Sequence, residues 1–241
     1  MDWRRLEASR EAAPRVAPSE IRPSIRDFTQ YLGAGRRTLG VIPLLARRDP
    51  AGGGARDGAE HDGVAALAAA LDALEIPALA VATAPGPFAE RLEDLRAVAA
   101  AVSAPVLRYD CVVGEDRLYE SRLAGADAVL VPVALVAALP RLVALARAVH
   151  VTCVAEVASR ADCDAAVAAG APVLALATGA LALAAALPAR YPLLAQEPVG
   201  AAADLAPLHG VVDAVLVTLT ADDGALARTR ALVDAAAMLA S

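Results

Sequence analysis

The chain has 241 residues, a formal net charge of −6 and 58% hydrophobic residues, with aromatic residues only 3% of the total. This length suits one large domain or two small ones, and the acidic balance, with no basic block beyond Arg-Arg pairs, excludes nucleic-acid binding as the main activity. All 22 basic residues are arginine, which excludes a Schiff base, a lysine general acid and a P-loop lysine.

Other chemistry is bounded in the same way. Cys111, Cys153 and Cys163 form no CxxC pair and read as reduced, buried thiols. His61, His150 and His209 lack metal-ligand spacing, so neither a metal nor a cofactor is expected. The charged start MDWRRLEASRE does not read as a secretory leader. Residues 165–189 carry no charge and are long enough to cross a bilayer, but Gly170, Pro172, Gly179 and Pro188 cut the run into shorter elements. A cytoplasmic protein is the expectation.

In chain order, residues 2–12 predict a short amphipathic helix, followed by a link with Pro14 and Pro18. Pro23-Ser24 opens a second helix over 25–32, ended by Gly33 and Gly35. This N-terminal helical extension, residues 1–37, is expected to lie across the bottom or rim of a single domain spanning 38–241. Residues 38–45 predict the first strand, although Pro43 would remove a ladder hydrogen bond there. The segment 51–58, AGGGARDG, has neither GxGxxG nor GK[ST] and reads as a lid or linker rather than a phosphate cradle. Helices then follow over 62–74, 88–102, 116–124, 135–148, 159–169, 180–187, 201–208 and 222–239. Strands alternate with them over 78–83, 105–108, 127–131, 149–155, 172–177, 191–195 and 213–217. Ser159 with Asp162 three residues on marks a helix N-cap.

Eight β/α units predict an α/β fold, a (β/α)8 TIM barrel; an open doubly wound sheet would use fewer strands and a Gly-rich first turn. Ligands bind at the carboxyl ends of barrel strands. That rule makes Arg108-Tyr109-Asp110, at the end of the third strand, a candidate site.

The string LEDLRAVAAAVSAPVLRYD, followed by YESRLAGADAVLV, resembles the indole-3-glycerol phosphate synthase family, whose pattern runs LEDLRAV…PVLRKDF…YEARAAGADAVLL. Arg22-Pro23-Ser24 is similar to the family's N-terminal extension, and Arg47 to Pro50 to the end of its EIKRxSPS motif. Ala155-Glu156-Val157 is similar to its VEVH strand end. The resemblance implies a ring-closing decarboxylase of tryptophan biosynthesis that uses lysines on strands one and three and glutamates on strands one, five and seven. Set position by position, the strand-one Glu falls at Leu44 and its Lys at Ala46, and the strand-three Lys falls at Tyr109. The strand-six Asn falls at Ala177, and the glycine after strand eight at Thr218. Glu156 and Glu197 keep the acids of strands five and seven.

The candidate catalytic residues are therefore Glu156, Glu197 and Tyr109, with Arg47 and Arg108 as candidates for binding an anionic small molecule bearing carboxylate or phosphate. Each also has a purely structural reading. Glu156 could pair with Arg108 or Arg47, Glu197 could cap its turn, Tyr109 could fill the volume of the missing lysine, and Asp110 could satisfy backbone donors. Three functions stay open: a barrel that has lost the reaction and serves as pseudoenzyme, partner subunit or sensor; a working synthase; and a barrel enzyme with altered chemistry. Neither a membrane nor a nucleic acid is an expected partner, whereas a homodimer or another biosynthetic enzyme is compatible with the Ala/Leu-rich outer helices.

Overall fold

A computed structural model of the chain describes residues 3–8, 21–46, 61–84, 92–220 and 224–240. The candidate Arg47, its neighbour Arg48 and the Gly-rich segment 51–58 lie outside these residues. Eight strands are described: β1 (Gly40–Ala46), β2 (Leu79–Ala82), β3 (Val106–Tyr109), β4 (Ala128–Pro132), β5 (Thr152–Val157), β6 (Val173–Leu176), β7 (Leu193–Ala195) and β8 (Ala214–Thr220). They form a closed barrel in sequence order, all neighbours parallel, with β1 returning to β8 from Gly40 opposite Ala214 to Ala46 opposite Thr220. The chain is thus a (β/α)8 barrel, as the alternation predicts. Pro43 is tolerated because the described pairing of β1 with β2 involves only Leu44 and Leu45.

The helices are α1 (Trp3–Ala8), α2 (Phe28–Leu32), α3 (His61–Asp72), α4 (Leu92–Ala101), α5 (Glu115–Leu123), α6 (Leu139–Ala148), α7 (Arg160–Ala168) and α8 (Ala225–Leu239). Side chains alternate between the two faces of each strand. Leu45, Val81, Val106, Val129, Cys153, Leu174 and Val215 pack outward with the helices. Leu44, Ala80, Leu107, Leu130, Val154, Ala175 and Leu194 fill the interior. Pairing small alanines with leucines fills the barrel without aromatic bulk. Two aromatics of the extension join this inner cluster. Phe28, fully buried, enters from the amino ends of the strands, and Trp3 enters at their carboxyl ends.

Buried aspartates at the starts of β4 and β8 hold the extension in place. Asp127 accepts from the backbone N–H of Val106 at 2.9 Å, pairs with Arg26 at 2.7 Å and Arg122 at 3.0 Å, and accepts from Ser24 Oγ. Asp213 accepts from the N–H groups of Leu193 at 2.8 Å and Arg36 at 2.7 Å. Gly125 ends α5 with φ 96°, and a Cβ there would meet Ala99 Cβ at 2.6 Å, so only glycine fits. The Ser159 cap forms as the sequence predicts, its Oγ accepting from Asp162 N at 3.2 Å.

The structure differs from the sequence expectations in three places. The helix expected from residue 135 begins at Leu139, with Pro140 in its first turn, after a separate 3-10 turn at Val133–Leu135. The strand expected from 149 begins at Thr152, because His150 and Val151 close α6 by donating to the carbonyls of Arg147 and Ala146. In units six and seven the expected helices are 3-10 turns, Leu181–Ala186 and Ala202–Leu205.

Candidate functional site

Strand parity decides what the barrel mouth presents. Continuing the inward positions to the carboxyl ends gives Ala46, Ala82, Tyr109, Pro132, Glu156, Ala177, Gln196 and Thr218. Among these described residues the inner wall carries one carboxylate and no cation.

Three polar side chains from three strands join here. The Tyr109 hydroxyl donates to Gln196 Oε1 at 2.8 Å, and Gln196 Nε2 donates to Glu156 Oε1 at 3.1 Å. Trp3 covers the group, its ring 5.6 Å from that of Tyr109 and tilted by 58°. The Trp3 indole N–H is buried and reaches no hydrogen-bond partner of good geometry, yet it stands close enough to Glu156 to favour its anion.

Burial dominates the acid–base character of the pair. It pushes the Glu156 carboxyl above the usual glutamate range, against the opposing effects of the Gln196 hydrogen bond and the nearby Trp3 indole N–H. Burial, and then the neighbouring Glu156 charge, push the Tyr109 phenol well above its ordinary range. A phenol so shifted is a poorer proton donor than a free tyrosine. Glu156, in contrast, is held closer to neutrality than an exposed carboxylate.

The remaining candidates stand elsewhere. Arg108 alternates with Tyr109 and so points outward, 2% exposed, between β3 and α5. Its guanidinium donates to Thr83 Oγ1 at 2.8 Å, Glu120 Oε2 at 2.8 Å, Ser121 Oγ at 3.0 Å and Asp110 Oδ2 at 2.9 Å. Its forks are committed to protein groups, and it does not face the mouth. Asp110 also accepts from Thr83 Oγ1 at 2.9 Å and Cys111 N at 2.7 Å, in keeping with its structural reading. Glu197 is turned away from Glu156 and accepts from Gly179 N at 2.8 Å, tying the loop after β7 to the loop after β6. Thr178 reinforces this link through Gln196 O at 2.7 Å.

Sequence reasoning missed Gln196 and Trp3. Gln196 was within reach, since it lies two residues beyond the inward Leu194. Trp3 had no local signal, because its position depends on how the extension wraps around the barrel.

Among the described residues no group of three or more His, Cys, Asp and Glu could hold a metal ion, and no helix is long and apolar enough to cross a membrane. Two cavities, of ≈ 570 and ≈ 450 Å³, open at the amino ends of the strands, remote from Tyr109 and Glu156.

Comparison with known proteins gives this geometry a lineage. The family model for indole-3-glycerol phosphate synthase matches residues 4–181. The indole-3-glycerol phosphate synthase of Rhodococcus opacus is 34% identical over 165 residues, covering 68% of this chain and 59% of that protein. The corresponding Nocardioides protein is 36% identical over 174 residues, covering 69% and 65%. The chain thus spans less than two thirds of the length of these relatives. A mutant tryptophan synthase alpha-subunit from Pyrococcus furiosus superposes with a TM-score of 0.63 at 15% identity, covering 81% of this chain and 98% of that one, a likeness of fold alone.

Proposed function

This chain belongs to the indole-3-glycerol phosphate synthase family, and we propose that it keeps the family's barrel without the family's ring-closing decarboxylation. It serves instead as a pseudoenzyme that binds an anionic small molecule or a partner biosynthetic enzyme in the cytoplasm. The observation that carries this reading is the inner wall around Glu156, which among the described residues holds no cation and where Gln196 bridges Tyr109 to Glu156; the resemblance to the family sets Ala46 and Tyr109 at the positions of its lysines.

The family's substrate carries a carboxylate and a phosphate, and its ring closure needs a proton donor at the ketone oxygen. A wall that holds no cation among the described residues next to Glu156 disfavours both anionic groups, and Tyr109 is too weak an acid to replace a lysine near neutral pH. Arg108 is spent on Asp110 and Glu120, which leaves Arg47 as the candidate for binding an anion. Members of a catalytic constellation act as a unit, so losing either cation already removes most of what the pair supplies.

The test is to incubate the purified protein with carboxyphenylamino deoxyribulose phosphate and follow indole-3-glycerol phosphate. No product is expected, and turnover at ordinary enzyme rates refutes the reading. Calorimetry with the same compound and with anthranilate then separates a sensor, which binds, from a scaffold, which does not. A second reading, a barrel enzyme with altered chemistry, is favoured by the raised protonation of Glu156, which suits a general acid. Under that reading Glu156 and Tyr109 act on a substrate that displaces Trp3, Glu197 holding the loop beside them through Gly179 N, and Glu156→Gln abolishes whatever activity a substrate screen finds.

A further inference from the structure

We propose a second ligand site on the amino-end face of the barrel, between α2 and the turn joining α6 to β5, and assign to it a free α-amino acid with an apolar side chain. The site shares no residue with the barrel mouth, so it stands or falls apart from the reading of the barrel's chemistry.

A cavity of ≈ 450 Å³ opens there, within the usual range for small-molecule sites of roughly 300–1,000 Å³. Its charged lining is divided. Arg147 and His150 stand on one side, and neither side chain has a hydrogen bond or ion pair to another described residue. Asp27 stands on the other. One of its oxygens accepts from Gln30 N at 3.1 Å to cap α2, and the second has no partner among the described residues. Arg26 also lines the cavity, but its guanidinium is consumed by Asp127 at 2.7 Å and by the carbonyls of Ala99, Val102 and Gly125. Ile25, Val143 and Pro172 supply apolar surface, and Ile25 is 101% exposed.

His150 gives a second, independent observation. The turns that end α5, α6 and α7 have the same hydrogen-bond pattern. Gly125, His150 and Gly170 donate to the carbonyls of Arg122, Arg147 and Val167, and the next residues donate to those of Ser121, Ala146 and Ala166. At this left-handed position α5 and α7 place glycines, with φ 96° and 73°, whereas α6 places His150 at φ 56°. A side chain there carries a conformational cost that glycine avoids. In α6 that cost sets an imidazole on the cavity wall, and the turn after α3 does the same for Glu75, φ 57°, beside the neighbouring cavity.

A guanidinium with an imidazole suits a carboxylate, the carboxylate of Asp27 in the same lining suits an ammonium group, and the apolar surface suits an aliphatic or aromatic side chain. A simple dianion would meet Asp27 unfavourably, whereas a zwitterion satisfies both walls.

Isothermal titration calorimetry of the full chain with L-leucine and L-phenylalanine tests the assignment. L-Leucinamide, which lacks the carboxylate, and 4-methylpentanoate, which lacks the amine, are the comparison ligands. Saturable binding of both amino acids is expected, weakened about tenfold or more by either deletion and by Arg147→Ala or His150→Gly, the loss of one charge-assisted contact. His150→Gly should melt no lower than the parent, because glycine adopts the left-handed turn freely, so its loss of binding cannot be laid to misfolding. The proposal is overturned if neither amino acid binds, if 4-methylpentanoate or leucinamide binds as tightly as leucine, or if both variants bind as the parent does.

Discussion

Arg108 and Tyr109 are consecutive in β3, and the pleat sends them to opposite sides of the barrel wall. Arg108 is the centre of a buried ionic network with Asp110 and Glu120. Removing it takes the central cation from Asp110 and leaves Glu120 with Arg117 alone, at 3.2 Å, so Arg108→Ala is expected to cost about 3–5 kcal/mol of stability in urea unfolding. Tyr109→Phe removes one hydrogen bond to Gln196 and should cost about 1 kcal/mol. If Arg108 served a ligand instead, its variant would lose affinity and keep its stability. Glu156 adds a pH signature. Its folded-state carboxyl titrates above its unfolded value, so the folded protein holds the proton more tightly and stability falls as pH rises through the interval between the two values. Glu156→Gln, which can still accept from Gln196, should therefore raise the melting temperature at pH 8 and lose that advantage toward pH 4. An equal shift at both pH values contradicts this. Of the mouth, the sequence made Tyr109 and Glu156 legible because each ends an apolar strand. The fate of Arg108 was not, because the cluster Arg108-Tyr109-Asp110 looks uniformly charged until strand parity divides it.

At the scale of elements, the extension closes the barrel at both ends, with Phe28 below and Trp3 above. Trp3 is the chain's single tryptophan, so its fluorescence reports the docking of α1 without interference. Burial against Tyr109 at 5.6 Å predicts a blue-shifted emission with weak acrylamide quenching in the native protein, and a red shift on unfolding. Native emission already like that of exposed indole would show α1 undocked. Helical periodicity revealed both helices of the extension, but sequence could not assign them to opposite ends. That assignment is made by distant partners such as Asp127 and Asp213, which bind Arg26 and the Arg36 backbone across the chain. The 3-10 turns of units six and seven were equally hidden, because alanine-rich segments favour α-helix by propensity.

At the scale of the whole molecule, alternation of eight apolar strands with helices was enough to predict the closed barrel, since each strand buries both faces and each helix one. A barrel held by layers of leucine, valine and alanine does not depend on its mouth chemistry, so the scaffold is compatible with the proposed loss of the catalytic cations. The bulk of the fold is therefore indifferent to the question of function, which rests on a handful of inward positions at the strand ends. The most direct measurement is a single-turnover experiment, with protein in excess over carboxyphenylamino deoxyribulose phosphate and the indole ring of the product followed by its fluorescence after chromatography. No indole-3-glycerol phosphate above the protein-free control is the predicted result, and its formation in proportion to the protein added would contradict the loss of the family reaction.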